Sequence, residues 1–205
     1  MIFKDRIEAA NLLAGKLKKY QHERCVVLAL PKGGVPMAQI ISQSLKCPMD
    51  LLLVKKIGHP INKEYAIGAA SFYDTILEPH ENISEQYIMD EVLHIRTRLH
   101  EMHKKFLGDK NPIPIEGKVA IIVDDGVATG NTITAAIQLL RKKNPSKIVI
   151  AIPVAPHQAL EKMQNMAEEI ICLLHPTQFS GIAAFYEDFH QIEDDEVIGF
   201  MKEIN

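Results

Sequence analysis

The apolar run Val119-Ala120-Ile121-Ile122-Val123 leads straight into Asp124-Asp125, then Gly126-Val127-Ala128-Thr129-Gly130-Asn131-Thr132 and a helical pattern. In open α/β sheets ligands collect at the carboxyl ends of strands, and both carboxylates sit at such an end. The segment Ala128 to Thr132 wraps into a helix N-terminus, where unpaired N–H groups and the helix dipole attract an anion. Thr129 and Thr132 add hydroxyl donors, and Gly130 lets the backbone approach closely. Two carboxylates beside an anion repel it, so Asp124 and Asp125 must face something else. Sugar hydroxyls are the natural donors, and Mg²⁺, directly or through water, is a second partner. A lone Asp-Asp would read as turn and cap residues. The complete string, between strand and helix, reads as a site for a phosphorylated sugar.

Two further loops carry charge at similar places. Leu30-Pro31-Lys32-Gly33-Gly34-Val35 follows the first apolar run and opens a helix. It is a glycine-rich turn with one cation, which can also cradle an anion. Lys55-Lys56-Ile57-Gly58-His59-Pro60-Ile61-Asn62-Lys63 is polar, breaker-rich and cationic; read alone, it is a solvated surface loop. The histidines His94, His100 and His103 lie off the apolar stripe of their helix and read as solvated. No metal-ligand spacing such as His-Glu-x-x-His occurs.

The elements that must position these loops alternate. Asp5 with Glu8 reads as a capping-box-like helix start, with Ile7, Ala10, Ala14 and Leu17 on one face and an end near Lys19. Cys25 to Leu30 is a strand covered on both faces, and Val35 to Leu45 a helix. Asp50 to Val54 is a second strand, Lys55 to Glu64 a turn-rich stretch, and Tyr65 to Phe72 a third strand. Asn82 to Gly108 is an amphipathic helix with Ile88, Val92, Ile95, Leu99, Met102 and Phe106 as its stripe. Val119 to Val123 is a strand, Thr132 to Lys143 a helix, Lys147 to Ile152 a strand, Gln158 to Met166 a helix and Glu169 to Leu174 a last strand. The alternation predicts a doubly wound, mainly parallel α/β sheet flanked by helices. The tail, 175–205, breaks it and reads as a small cap. Its aromatics Phe179, Phe185, Tyr186 and Phe189 are interleaved with Glu187, Asp188 and His190, so they serve either to tie the C-terminus to the core or to stack on a planar ligand.

The 205 residues fit one domain. A net charge of -3 gives no footprint for nucleic acid or an acidic membrane. Cys25, Cys47 and Cys172 are odd in number and scattered, which reads as buried thiols in a reducing compartment. Residues 1–6 show no signal-peptide pattern, and no apolar run approaches the roughly 20 residues of a membrane helix. The expectation is a cytoplasmic protein without nucleic-acid or membrane partners.

The string from Val123 to Thr132 resembles the 5-phosphoribosyl-1-pyrophosphate (PRPP) motif of type I phosphoribosyltransferases. The resemblance implies that fold, with Asp124 and Asp125 on the ribose hydroxyls and Ala128, Thr129, Gly130, Asn131 and Thr132 on the 5-phosphate. The loop at Lys32, Gly33 and Gly34 resembles the family's pyrophosphate loop, which in several members holds a non-proline cis peptide. The interval from Lys55 to Lys63 corresponds to a mobile lid whose lysines offset leaving-group charge; Lys55 and Lys56 are the main candidates, Lys63 and His59 weaker ones. Residues 76–113 look like a helical insertion and 175–205 like the hood that grips the acceptor, with Tyr186, Glu187 and Asp188 as candidate contacts. The order of parts, with Phe185-Tyr186-Glu187-Asp188-Phe189 in the tail, is similar to a group of short bacterial phosphoribosyltransferases. Gly126 replaces a branched aliphatic residue usual in the motif. Ala128 stands where purine-salvage members carry a base-facing aspartate, which argues against a hypoxanthine–guanine type enzyme.

The implied activity is Mg²⁺-dependent transfer from PRPP to a nitrogenous base or amine, with Asp124, Asp125, Lys55 and Lys56 catalytic and a homodimer compatible with the pattern. The rival is a non-catalytic PRPP or nucleotide sensor with the same fold, disfavoured by the lack of a helix-turn-helix segment. A Rossmann-type enzyme of another class is disfavoured by the absence of Gly-x-Gly-x-x-Gly and Gly-x-x-x-x-Gly-Lys-Ser/Thr.

Overall fold

The computed structural model describes residues 2–63, 65–79 and 83–203. Five strands, β1 (Cys25–Ala29), β2 (Met49–Leu51), β6 (Val119–Val123), β7 (Lys147–Val154) and β8 (Glu169–Leu174), form a parallel sheet in the order β2-β1-β6-β7-β8. The central register pairs Cys25 with Val119 and Ala29 with Val123, so β1 and β6 end level. Alternate side chains of these strands enter two cores. Val27, Ala29, Ile121 and Val123 face α1 (Arg6–Leu17) and α2 (Gly34–Leu45). Val26, Leu28, Ala120 and Ile122 face α4 (Asn131–Arg141) and α5 (His157–Gln164). Burial on both faces is why the strands read as unbroken apolar runs.

The long helix α3 (Glu85–Leu107) begins at the Ser84 cap, whose side chain accepts from the Tyr87 N–H, and ends at Gly108 with φ +63°. Its stripe is buried as the spacing predicts: Ile88, Ile95, Leu99 and Phe106 are in the first core, and Val92 and Met102 are packed against it. Asn82, the expected helix start, lies outside the described residues, as does Glu64. A final helix, α6 (Asp194–Glu203), packs against α2 and α3. No helix among the described residues is long and apolar enough to cross a membrane.

Four expectations are corrected. The stretch after Val54 is a strand, β3 (Lys55–Gly58), with its buried Ile57 as anchor. The expected third strand, β4 (Ala66–Ala70), pairs with β3 and with β5 (Thr75–Leu77) in a separate antiparallel sheet and never joins the parallel one. On α1, Ile7 is 57% exposed while Arg6 is buried, because the guanidinium finds a buried carboxylate across the fold. Last, His103 is not solvated: its Nε2 is buried without a partner and its ring meets Phe72 edge-on at 5.2 Å.

Candidate functional site

Everything at the site hangs on the level ends of β1 and β6. The Leu30 N–H donates to the Val123 carbonyl at 2.9 Å, so the loops leaving the two strands start side by side. Gly33 and Gly34 then press onto the acidic pair. A Cβ on Gly33 would stand 1.9 Å from Asp125 Oδ2, and one on Gly34 would stand 2.4 Å from the Val123 carbonyl oxygen. Only glycine fits, and the cationic loop and the acidic loop share one cleft. The peptide bond between Pro31 and Lys32 is cis.

Beyond the acids, the Val127 N–H donates to the Val154 carbonyl at 2.9 Å and pins the loop to β7. Gly130 has φ +79° and immediately precedes α4 with no side-chain cap on the helix. The positive φ demands glycine there, and the Asn131 N–H, the first of α4, makes only a long bond of 3.5 Å to the Thr129 hydroxyl. Ala128, Thr129 and Thr132 are exposed or nearly so along the loop and Asn131 is half-buried, so the loop's donors are open to a ligand.

The two acids differ. Asp124 is half-buried and accepts the Asp125 N–H at 2.9 Å. Burial and then the neighbouring Asp125 charge raise its carboxyl well above the usual range. Asp125 is buried at 8% exposure. Burial pushes it up as well, but Arg6 pulls it back: Nε donates to Oδ2 at 2.9 Å and a terminal nitrogen lies 2.8 Å from the same oxygen. Asp124 therefore takes up a proton first.

Arg6 is the residue that sequence reasoning missed. It also donates to the His190 carbonyl at 2.8 Å and lies 3.9 Å from the centre of the Phe189 ring. The Tyr186 hydroxyl donates to the Asp125 carbonyl at 2.7 Å, and burial raises its pKa. The two chain ends are laced together beside the motif, with Phe3 bonded to the Phe185 carbonyl and Glu187 bonded to the Phe3 carbonyl, each at 2.8 Å. The residue type alone gives no hint of this; the signal available was an arginine directly after a helix cap, on the face that Ala9, Ala10 and Leu13 bury.

Gly126, the departure from the usual motif, is explained by the same tail. A methyl there would meet Ile182 Cγ2 at 2.6 Å and Val154 Cγ1 at 3.1 Å. The missing side chain makes room for the short 3-10 turn Ile182–Phe185. In this tail Tyr186 is buried with its hydroxyl engaged, whereas Glu187 and Asp188 are exposed.

The remaining cations lie on other elements, and Lys55, Lys56 and Lys63 line a space together with Thr132 of the phosphate loop. Lys32 lies 3.3 Å from Asp194 at the start of α6, and Lys105 of α3 pairs with the same carboxylate. Lys55 and Lys56 lie opposite Ala70 and Ala69 in the antiparallel flap. Lys63 is tied to the Tyr87 hydroxyl at 2.7 Å and to Glu91 at 3.1 Å. For a metal, no cluster of three or more His, Cys, Asp or Glu exists among the described residues. The donors present suit Mg²⁺ carried mostly by substrate oxygens and water, with Asp124 as the protein carboxylate in reach, since Arg6 holds Oδ2 of Asp125.

Comparison with known proteins points to one family. A family model described as "Phosphoribosyl transferase domain" matches residues 3–190. A Mycobacterium tuberculosis protein named "Putative phosphoribosyl transferase" is 36% identical over 208 residues, covering 98% of this chain but 46% of its own. This chain thus spans about half the length of the curated relatives it matches. The crystal structure of TT1426 from Thermus thermophilus superposes with a TM-score of 0.92 at 33% identity, covering 100% of this chain and 99% of that one. A hypothetical protein of Neisseria gonorrhoeae, solved with bound ppGpp, shares the fold at a TM-score of 0.51 and 13% identity, over 99% of this chain and 98% of that one.

Proposed function

From the premise that this chain belongs to the phosphoribosyl transferase family, we propose that it transfers the phosphoribosyl group of PRPP to a nitrogenous base or amine in the cytoplasm, releasing pyrophosphate. The observation that carries this reading is the contact of Gly33 with the Asp125 carboxylate. It gathers a hydroxyl-binding acid pair, an open anion loop and a cationic glycine loop into one cleft. In this reading Asp124 and Asp125 accept from the ribose hydroxyls, and the loop from Ala128 to Thr132 holds the 5-phosphate. Lys32, Gly33 and Gly34 meet the pyrophosphate, and Lys55 and Lys56 offset its charge from the flap. Glu187 and Asp188 remain the hood's candidates for the acceptor, with Tyr186 supporting them from below.

The bond from the anomeric carbon to the pyrophosphate oxygen breaks, with its electron pair leaving on pyrophosphate. A bond from that carbon to the acceptor nitrogen forms, and the acceptor's surplus proton leaves to solvent. The protein orients the reactants and neutralises the leaving group; no side-chain nucleophile takes part. Bound Mg²⁺ would neutralise further charge on pyrophosphate. The test is a pyrophosphate-release assay with PRPP, Mg²⁺ and a panel of bases and amines. Release with at least one acceptor is expected. PRPP binding without release for any acceptor would assign the chain to the sensor reading, and no PRPP binding would overturn both.

A further inference from the structure

A cavity of about 420 Å³ opens beside the phosphate loop. Thr132, in the first turn of α4, forms one side of it; Lys55 and Lys56 of the flap form another; Glu91, His94 and Arg98 of α3 close the third. His94 and Arg98 are four apart on α3 and share a face, and that face looks into the cavity. Glu91, the carboxylate in this lining, is taken by Lys63. Among the described residues Lys55 and Arg98 have no acidic partner, in contrast to Lys32, Lys105 and Arg141, each of which is paired. Two cations without an ion-pair partner, around a space that also meets a hydroxyl of an anion loop, are relieved by an anion entering between them.

We propose that α3 supplies Arg98 as a substrate-contacting residue, gripping the diphosphate group of the ligand from the side opposite Lys55. The inference rests on the PRPP reading above and extends it to a helix that the motif does not include. The chemistry favours a diphosphate over a single phosphate. The 5-phosphate already has the amides and hydroxyls of its loop, and the cavity is roomy and walled by three separate elements, α4, the flap and α3. Arginine's planar fork matches phosphate oxygens in pairs, which a lysine cannot do. Because Arg98 is exposed on the helix and holds no ion pair among the described residues, its removal leaves the core intact.

Calorimetric titration of the full chain with inorganic pyrophosphate and, separately, with ribose 5-phosphate decides the matter, using Arg98→Ala and Arg98→Lys with melting curves as the folding control. Arg98→Ala is expected to weaken pyrophosphate about tenfold or more while moving ribose 5-phosphate less than about twofold, as loss of a charge-assisted contact to one ligand should. Arg98→Lys should recover part of the loss. Unchanged pyrophosphate affinity in Arg98→Ala, or equal losses for both ligands, would overturn the role of Arg98 and leave the PRPP reading standing. Wild-type protein that binds neither ligand would overturn the PRPP reading and, with it, this one.

Discussion

At the ends of β1 and β6 the backbone comes so close that a methyl on Gly33 would stand 1.9 Å from Asp125, whereas at the flap Lys55 and Arg98 face open space of about 420 Å³. The first region is over-determined. Glycine contacts, the Arg6 ion pair and the Tyr186 hydrogen bond all fix Asp125. In the second region Lys55, on a small antiparallel sheet outside the parallel one, and Arg98, on α3, hold no ion pair among the described residues. Under the proposed function the two regions would carry different tasks: ribose would be oriented by close packing at Asp125, and leaving-group charge would be met by Lys55 and Arg98 around the open space. Substitutions in the two regions should therefore fail in different ways.

The largest effect is expected from Arg6→Met. Side-chain exposures of 8% and 12% make Arg6–Asp125 a buried pair, and removing one partner of such a pair costs roughly 3–5 kcal/mol because the other charge is left unpaired. Denaturant unfolding should show the loss, and Asp125→Asn in the same chain should return a good part of it. If Arg6→Met melts with the wild type, the ion pair does not hold the chain ends to the motif.

Gly33→Ala comes next and acts on geometry. The new methyl must displace the Asp125 carboxylate or the loop, costing about 1–3 kcal/mol of stability as overpacking does. A shift of about 1 Å in a positioning group is enough to lower turnover roughly 100-fold. Pyrophosphate release at matched folded fraction measures it, and near-normal turnover would show that the loop yields without disturbing the acids. Lys55→Ala with Lys56→Ala should do less: about a tenfold fall in turnover, in keeping with loss of charge-assisted contacts. Ribose 5-phosphate affinity should be nearly unchanged in that variant. An equal fall in ribose 5-phosphate affinity would move these lysines to the 5-phosphate and erase the contrast between the two regions.

What the sequence disclosed follows the same division. The string from Asp124 to Thr132 was legible because strand end, acids, glycine and helix start are contiguous, and contiguous residues meet whatever the tertiary fold. The stripe of α3 was legible because one face of 23 residues is enough for a period to show. Arg6 was not, since its partner lies 119 residues away and a lone arginine on a helix ordinarily faces water. The flap was not, because Lys55–Gly58 offers a single large buried side chain, Ile57, against which no alternation can be read. The missing side chain at Gly126 could be seen as a departure from the motif, but its cause, Ile182, arrives from the tail.

The smallest expected effect tests the asymmetry within the acid pair itself. Asp124 has a folded-state pKa raised by burial and by Asp125, above the roughly 3.9 of an unfolded aspartate. The folded chain then binds the proton more tightly than the unfolded chain. The stability this gives is fully present below the unfolded value and is lost as pH rises through the folded one. Once ionised, Asp124 is a carboxylate that its surroundings disfavour, and in the proposed function that carboxylate is offered to ribose hydroxyls or a cation. Asp124→Asn removes that cost, so the variant should melt above the wild type at pH 7 by an amount on the order of 1 kcal/mol. The advantage should shrink as the pH is lowered from 7 through the raised folded-state pKa of Asp124, where the wild-type carboxyl takes up its proton. The same variant should bind PRPP more weakly, because asparagine cannot offer two charged oxygens to the hydroxyls. Thermal melts of both proteins across that pH range, with and without PRPP, separate the two effects. A variant that is less stable than the wild type at every pH would mean that Asp124 is a structural acceptor for the Asp125 amide and not a functional carboxylate kept at a stability cost.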